Sequence, residues 1–194
     1  ITWSDDRNSS TDVYYQILDG NGYGELTDDG ESACTGDGDI INPRVKAENS
    51  VAYIVWEDQR NYDVSGNDIY AQKINNSGST EWGNGLAISI SGDKQFQPRL
   101  NTDGNGGVYF VWEDNRNYGV SDNDIYAQHV NSSGSITYDT NGELICNAAD
   151  KQFNPLVRDD GSGGALIVWA DQRTGGSYGI YLQHLTSSGI NLAG

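Results

Sequence analysis

The sequence predicts an all-β protein, a β-propeller made of four-stranded antiparallel blades. Three observations indicate this: a tryptophan motif recurs, the apolar runs are short, and turn residues separate them. The motif Trp-x-Asp-x-Arg begins at Trp3, Trp56, Trp112 and Trp169, at intervals of 53, 56 and 57 residues. Repeats of this length with several short strands are typical of propeller blades. A solenoid normally has a shorter repeat, and a sandwich would not keep one tryptophan register so faithfully.

Each complete repeat has room for four strands. In the best-defined repeat the near-continuous apolar run suits a second strand that is covered on both faces. The four candidate strands of that repeat are residues 98–102, 108–114, 124–131 and a segment within 136–146. No segment has a helical apolar period, because glycine and asparagine interrupt the chain too often.

Prolines and glycines mark the strand ends. Pro43, Pro98 and Pro155 share one register, predicted to be the first residue of a strand, where a missing N–H is tolerated. The glycine-rich segments 103–107 and 160–164 are predicted to be hairpin turns with positive φ. They lack the further carboxylates of a strong calcium site, so no cofactor or metal site is predicted, although structural calcium stays open.

The strand count predicts an incomplete ring. Residues 1–7 correspond to a second strand with no first strand before it, and residues 190–193 can form the last strand, which gives fifteen strands in four blades. The chain is interpreted as one propeller segment, 1–194, with repeats at about 1–55, 56–111, 112–168 and 169–194. It is expected to be a piece of a larger ring, or one of two copies that complete a ring and so hide the open blade edges. The first residue, Ile1, indicates a processed or excised piece of something longer.

Composition limits the partners. The formal net charge of −17, with 28 acidic and 11 basic residues, argues against nucleic acid, because phosphates would be repelled. No run approaches the roughly 18 apolar residues of a membrane span, so no membrane insertion is expected. The acidic composition, rich in Asn, Gly and Ser, predicts an extracellular or cell-surface location.

Two residue types invite a chemical interpretation. Cys34 and Cys146 occupy the same slot of two repeats, too far apart for a disulfide, so two free thiols are predicted. His129 and His184 follow the glutamine of the third strand, where another repeat has Lys73. A slot that accepts lysine is expected to face solvent, so no metal or catalytic role is predicted for either histidine.

The segment PRLNTDGNGGVYFVWEDNR…NDIYAQHVNSSG resembles the blades of sialidase-type (BNR-like) propellers. It is most similar to repetitive secreted bacterial propeller proteins whose blades read W-x-D-x-R…DIYAQ. The hairpin at 76–82, NSGSTEW, is similar to the Asp-box of sialidase blades in its turn and tryptophan, but the aspartate is absent. The resemblance implies a propeller fold and, as one function, a glycoside hydrolase whose arginines bind a carboxylated sugar.

The tryptophan motif itself has two interpretations. Its Trp, Asp and Arg alternate onto one face of the strand. Either the Trp packs between blades while an Asp–Arg pair closes the strand end, or the arginines form a ligand-binding cluster. Repetition in every blade favours the structural interpretation. The residues concerned are Trp3, Trp56, Trp112 and Trp169 with the pairs Asp5/Arg7, Asp58/Arg60, Asp114/Arg116 and Asp171/Arg173.

One face of the propeller is predicted to bind a ligand. The loops from second to third strands share this face with the loops that lead to the next blade, and variable loops on a rigid scaffold commonly bind ligands. Their aromatic and amide groups suit a glycan or a protein ligand. The candidates are Tyr62, Asp63, Tyr118, Asp122, Tyr178, Lys94, Gln95, Lys151 and Gln152.

The leading functional expectation is therefore a non-catalytic extracellular scaffold, adhesion or ligand-binding module, and not an enzyme. A sialidase-like glycoside hydrolase domain and a subunit of a cell-surface assembly are the alternatives.

Overall fold

The structure, a computed structural model, describes residues 1–173, 175–186 and 188–190, with only the backbone of the last residue. Fifteen strands form four antiparallel sheets, one of three strands and three of four. These sheets are the blades of a partial propeller, which confirms the predicted fold class and strand count. Among the described residues, no helix is long and apolar enough to span a membrane.

The elements follow the predicted order within each blade. The first blade contains β1 (Thr2–Asp5), β2 (Asp12–Tyr15) and β3 (Glu31–Ser32). The second contains β4 (Ile40–Glu48), β5 (Val51–Asp58), α1 (Tyr62–Ser65), β6 (Asp68–Ile74) and β7 (Leu86–Ser89). The third contains β8 (Gln95–Thr102), β9 (Val108–Asp114), α2 (Tyr118–Ser121), β10 (Asp124–Val130) and β11 (Glu143–Cys146). The fourth contains β12 (Gln152–Asp159), β13 (Ala165–Asp171), β14 (Gly179–Thr186) and β15 (Gly189–Ile190).

Two details differ from the sequence-based prediction. The helices α1 and α2 are single turns within the loops that join the second and third strands. The last strand, predicted at 190–193, is observed as β15, and residues 191–193 lie outside the described part of the chain.

The prolines were wrongly predicted to begin strands. Pro43, Pro98 and Pro155 each lie inside the first strand of a blade, at a β-bulge where the register with the second strand shifts. The bulge residue is left out of the ladder, so a proline without an N–H is accommodated there.

The blades pack face to face around an axis lined by β4, β8 and β12, which form the inner edges of their sheets. Each blade has a tryptophan face, which carries the indole of the motif, and an opposite face. In each of the three junctions the opposite face of one blade packs on the tryptophan face of the next, burying Trp56, Trp112 and Trp169. Hydrophobic burial between blades therefore forms the core.

A tyrosine on the opposite face also hydrogen-bonds across each junction. The Tyr53 hydroxyl donates to the carbonyl of Gly106 at 2.6 Å, and the Tyr109 hydroxyl donates to that of Gly163 at 2.8 Å. Gly106 has a φ of 85° and Gly163 one of 89°, as the predicted glycine turns require. The glycine-rich turns thus position the acceptors for the neighbouring blade.

The tryptophan motif is a hydrogen-bonded unit built around one aspartate. In the third blade Asp114 Oδ2 accepts from Trp112 Nε1 at 2.9 Å and from Arg116 Nη2 at 2.6 Å. Asp114 Oδ1 accepts from the backbone N–H and the Nε of Arg116, both at 2.9 Å. The guanidinium also lies 3.8 Å from the ring centre of Tyr126, which stacks on Trp112. The other three blades repeat the Trp–Asp hydrogen bond, the Asp–Arg ion pair and the Arg–Tyr contact.

We expect Asp114→Ala to lower the free energy of unfolding by about 3–5 kcal/mol, because it leaves a charged guanidinium and an indole N–H without their buried acceptor. Asp5→Ala is the matched control: it removes the same unit from the first blade, where the Asp5 side chain is 18% exposed against 0% for Asp114. Water can replace the lost acceptor there, so we expect a smaller loss. Urea unfolding followed by tryptophan fluorescence measures both, and equal losses would contradict this explanation.

Candidate functional site

The positive charges of this acidic chain fall into two groups. Five of the 11 basic side chains form ion pairs with carboxylates: Arg7, Arg60, Lys73, Arg116 and Arg173. Among the described residues the other six have no carboxylate within 4.0 Å. These six all belong to the innermost strands β4, β8 and β12, or directly precede them: Arg44, Lys46, Lys94, Arg99, Lys151 and Arg158. Unpaired positive charge is therefore concentrated along the axis.

Two arginines stand at the centre of this group. Arg44 and Arg99 occupy equivalent positions of adjacent innermost strands, directly after the bulge proline, and both are half-buried. Each donates one Nη1 hydrogen bond, at 2.9 Å, to the carbonyl of the preceding proline. Burial and the like charge of Arg44 lower the pKa of Arg99. The two guanidinium groups thus lie within electrostatic range of each other, and in the described part of the chain each uses only one or two of its five donors in hydrogen bonds.

Two buried glutamates lie behind these arginines. Glu57 accepts hydrogen bonds from the side chains of Asn42 and Asn67, at 2.9 and 2.8 Å, and from the backbone N–H of Gln97 at 3.0 Å. Gln97 belongs to the bulge of the next blade. The carboxylate therefore satisfies a bulge N–H that the strand ladder leaves unpaired.

Glu113 occupies the equivalent position in the third blade, but it accepts hydrogen bonds from two donors instead of three. It accepts from the backbone N–H of Asn154 and from the side chain of Asn123, both at 2.9 Å. Burial raises the pKa of Glu113, and these two donors, with the charges of Lys151 and Arg99, offset only part of that effect. A raised pKa keeps a carboxyl group available as a proton donor closer to neutral pH.

One residue of the bulge explains why Glu113 accepts one hydrogen bond fewer than Glu57. Asn42 donates to Glu57, but its equivalent in the third blade, Gln97, has a longer side chain whose oxygen lies 3.5 Å from Arg99 Nη2. Asn42, Gln97 and Asn154 all have positive φ, of 54°, 53° and 52°. Asparagine tolerates this left-handed conformation better than most residues.

Sequence reasoning did not identify Arg44, Arg99, Glu57 or Glu113. The sequence signal that could have identified them is a break in the repeat. The residue after the bulge proline is an arginine in two repeats, but it is Leu156 in the third. Glutamate likewise follows the motif tryptophan in two of four copies.

The structure brings three of the predicted face residues together. Lys94 Nζ lies 5.6 Å from the ring centre of Tyr62, in the preceding blade. Lys94 and Tyr118 also line a depression of about 310 Å³ together with Asp93 and Asn115. The exposed tyrosines and the lysine thus span the junction between the second and third blades.

The other predicted face residues form no single cluster. Tyr178 packs edge-on against Phe153 at 5.2 Å, and Lys151 Nζ lies 5.7 Å from that same phenylalanine ring. Asp63 is exposed within α1, and Asp122 ends α2 with a φ of 63°.

Gln95 and Gln152 lie beneath the face rather than on it. Both side chains are fully buried. Gln95 Nε2 donates to the carbonyl of Asp93, and Gln152 Nε2 to that of Asp150, each at 2.7 Å. Their amides therefore hold the loops that precede β8 and β12.

The prediction of solvent-facing histidines is wrong for His129, which is 5% exposed. Its Nε2 lies 2.9 Å from Asp103 Oδ2, its Nδ1 lies 2.9 Å from Thr137 Oγ1, and its ring stacks on Tyr109. Burial acts to raise the pKa of Asp103, but the hydrogen bonds from His129 and two backbone N–H groups outweigh it and lower that pKa. His184 makes the equivalent contact with Asp160 at 2.7 Å, with its side chain partly exposed.

The candidate calcium turns and the cysteines can also be placed. Asp103 Oδ1 accepts from the backbone N–H groups of Asn105 and Gly107, both at 2.8 Å, so protein donors already surround this carboxylate. In the described part of the chain, no three His, Cys, Asp or Glu side chains are grouped as metal ligands. Both cysteines are free, as predicted. Burial raises the pKa of Cys34 to about 12, which makes it a poor nucleophile.

No protein-family profile matches the chain, and no curated protein sequence matches it. Several solved structures, however, are similar to this chain. The chain is similar to an endo-arabinase from Bacteroides thetaiotaomicron, with a TM-score of 0.51 and 12% identity over 89% of this chain and 64% of the enzyme. It is also similar to an α-L-arabinanase from Penicillium chrysogenum, with a TM-score of 0.50 and 12% identity over 96% of this chain and 54% of that enzyme. The similarity to an exo-β-1,3-galactanase from Phanerochaete chrysosporium has a TM-score of 0.50 and 16% identity over 91% of this chain and 41% of that enzyme.

These comparisons correct the leading functional expectation. The similar solved structures are β-propeller glycoside hydrolases, so the interpretation as a non-catalytic binding module, and not an enzyme, is wrong. At 12–16% identity the likeness establishes the propeller fold, and the chain spans between 41% and 64% of the length of these enzymes.

We expect Gln97→Asn to lower the pKa of Glu113, because the shorter amide can donate to that carboxylate as Asn42 does to Glu57. A raised carboxyl pKa costs stability as pH rises from the unfolded value, about 4.3, through the folded value, so this variant should also be more stable at neutral pH. A carboxyl-carbon NMR titration measures the pKa. Gln97→Ala, which offers no donor, is the control, and an equal decrease in both variants would contradict the proposed geometry.

Proposed function

We propose that this chain is part of a β-propeller glycoside hydrolase that acts on an acidic glycan, bound at the axis. The single observation that carries this proposal is a group of six basic residues on or next to the innermost strands, none with a carboxylate within 4.0 Å among the described residues, and with Arg44 and Arg99 at its centre. The resemblance of the blades to sialidase-type propellers supports the choice of a carboxylated sugar. The similarity to solved glycoside hydrolases supports the reaction class.

Two arginines that lie near each other without a bound anion carry an electrostatic cost. Arg44 and Arg99 repel each other in a half-buried position; neither has a carboxylate within 4.0 Å among the described residues, and the charges of Glu113 and Glu57 offset only part of the lowering of the Arg99 pKa. An incoming carboxylate relieves this repulsion and accepts paired hydrogen bonds from a guanidinium fork. The rest of the chain is strongly acidic, so an anion is attracted at the axis and repelled elsewhere.

The same cluster offers a carboxyl group for proton transfer. Glycoside hydrolysis requires an acid that protonates the leaving oxygen, and a raised pKa suits that role. Glu113 has a raised pKa and lies within the electrostatic influence of Arg99 and Lys151. We assign Glu113 the role of the acid; its side chain is 3% exposed, so the leaving oxygen must reach it through the junction with the fourth blade.

The loop face extends the site outward. Tyr62 and Tyr118 are exposed on either side of Lys94. Aromatic rings next to a basic group suit the apolar faces of sugars and their acidic substituents. We therefore assign this part of the face to further sugar units of the same glycan.

The first test is binding. We expect the chain to bind oligosaccharides that contain uronic or sialic acids and not neutral ones of the same length, measured by titration calorimetry at several salt concentrations. Arg44→Ala and Arg99→Ala should each weaken binding roughly 10-fold or more, since a hydrogen bond to a charged group contributes about 1.5–3 kcal/mol. Arg99→Lys should lose part of the affinity, because the charge stays but the fork is lost.

Lys73→Ala is the matched control. Lys73 Nζ forms an ion pair with Glu81 at 2.9 Å, and this pair lies away from the axis. It should leave affinity unchanged. Release of reducing ends from the preferred glycan tests the reaction, and Glu113→Gln should abolish this release while binding persists. Equal binding of neutral and acidic glycans would overturn the substrate assignment.

A further inference from the structure

The third blade contains a hydroxyl, an imidazole and a carboxylate in one hydrogen-bonded row, away from the axial arginines. Thr137 Oγ1 lies 2.9 Å from His129 Nδ1, and His129 Nε2 lies 2.9 Å from Asp103 Oδ2. His129 and Asp103 are buried, whereas Thr137 is exposed in the segment that joins β10 and β11. A hydroxyl in contact with solvent is thus connected through a buried ring to a buried carboxylate.

The charge of the carboxylate determines the direction of these hydrogen bonds. Although burial acts to raise it, the pKa of Asp103 is lowered by hydrogen bonds from His129 and from two backbone N–H groups. An ionised carboxylate only accepts, so Nε2 carries the hydrogen, and Nδ1 of a neutral ring is left as an acceptor. The Thr137 hydroxyl can donate to Nδ1 at 2.9 Å or to the His129 carbonyl oxygen at 3.2 Å, and the ring nitrogen is the nearer acceptor.

This arrangement contains the parts of a nucleophilic triad: a hydroxyl, a base that accepts its hydrogen, and a carboxylate that orients the base. Such a triad is defined by geometry and roles and not by sequence order. The two ring nitrogens exchange the roles that they have in serine proteases. The exposed position of Thr137 lets a substrate reach the hydroxyl without any opening of the blade.

The packing around the ring holds it in one orientation. The ring of His129 stacks on Tyr109 at 4.3 Å between ring centres and lies 6.1 Å from the ring of Tyr138. Gly107 leaves room for the pair, because a Cβ there would lie 2.3 Å from Asp103 Oδ2 and 3.0 Å from His129 Nε2. A base that is fixed in this way needs no reorganisation before it accepts a proton.

The blade framework does not require these residues. In the second blade Lys73 and Glu81 occupy the positions of His129 and Thr137, since in both blades the later residue donates its backbone N–H to the carbonyl of the earlier one. Their side chains form a simple ion pair at 2.9 Å. The same hairpin is therefore closed by two unrelated kinds of contact.

The fourth blade keeps the imidazole and the carboxylate but not the hydroxyl in its sequence. His184 Nε2 lies 2.7 Å from Asp160 Oδ2. Thr137 follows an isoleucine that pairs with β10, and the residue after the corresponding isoleucine of the fourth blade is Asn191, which lies outside the described part of the chain. The His–Asp pair recurs, and the complete set of three residue types is a departure from the repeat.

We propose that Thr137, His129 and Asp103 form a second reactive site, which transfers the acyl group of a carboxylic ester to Thr137 and then to water. Thr137 is the nucleophile and His129 is the general base. Asp103 is a positioning residue, because it acts through the imidazole. This inference does not depend on the proposed function, since none of the three residues belongs to the axial group.

The reaction has two balanced steps. Thr137 Oγ1 bonds to the ester carbonyl carbon while its hydrogen passes to His129 Nδ1. The bond from that carbon to the alcohol oxygen breaks, and the alcohol oxygen takes the hydrogen from Nδ1. Water then attacks the acyl group on Thr137 with the same proton transfers, which releases the acid and restores the hydroxyl. The imidazolium formed in each step is stabilised by the Asp103 carboxylate.

The backbone next to the nucleophile limits the rate. The N–H of Thr137 donates to the His129 carbonyl, and that of Tyr138 donates to Gln128 Oε1 at 3.1 Å, so neither is available to a developing oxyanion. General base catalysis alone contributes about 10²–10⁴-fold. We therefore expect slow turnover that is confined to esters with a good leaving group.

Incubation of the chain with p-nitrophenyl acetate tests the proposal, with peptide mapping by mass spectrometry to locate the acetyl group. We expect an acetyl group on Thr137 that hydroxylamine removes, as an ester requires, whereas acetyl groups on lysines remain. Thr140 is the internal control, because it is exposed in the same segment. Its acetylation should be roughly 100-fold slower or more, since general base catalysis accelerates only Thr137.

Variants separate the nucleophile from the base. Thr137→Ser should keep the acetylation and Thr137→Val should abolish it at this position, and both changes are at an exposed residue. His129→Gln should slow acetylation of Thr137 to the rate of Thr140, whereas His184→Gln should leave it unchanged. Circular dichroism checks that each variant is folded. If His129→Gln does not fold, the wild-type chain still decides: a Thr137 that is acetylated no faster than Thr140 would overturn the proposal.

Discussion

The structure depends on an aspartate that is buried at the end of the second strand in the second, third and fourth blades. Asp58, Asp114 and Asp171 orient an indole, an arginine and, through that arginine, a tyrosine of the third strand. Because the indole is fixed in this way, each blade presents the same apolar surface to its predecessor. The repeat in the sequence is therefore a repeat of one hydrogen-bonded unit, and the radial packing follows from it.

The same unit explains how basic residues acquire different roles in an acidic chain. An arginine of the motif is neutralised by an aspartate two residues before it and is covered by a tyrosine. Within the described ranges Arg44 and Arg99 have neither partner, and they lie on the adjacent inner strands β4 and β8. The repeated motif places four of the 11 basic residues in ion pairs, and the six that form none among the described residues lie on or next to the innermost strands.

Much of this fold could be predicted because its signals are local. The strand at residues 108–114 matches its apolar run, and the glycine turns match their spacing. The bulges could not be placed, because they depend on carboxylates such as Glu57, which come from a neighbouring blade. The environment of His129 was predicted wrongly because its partner Asp103, although in the same blade, is 26 residues away in the sequence. The axial group of basic residues could not be predicted, because it is defined by the ion pairs that the other five basic residues form in the folded chain.

Each blade packs mainly on its immediate neighbours, so the folded chain is a short nearest-neighbour array. The second and third blades each lie between two others, so either of them must break two interfaces to open. Local opening of one of these blades therefore exposes both its tryptophan face and its opposite face to water at once.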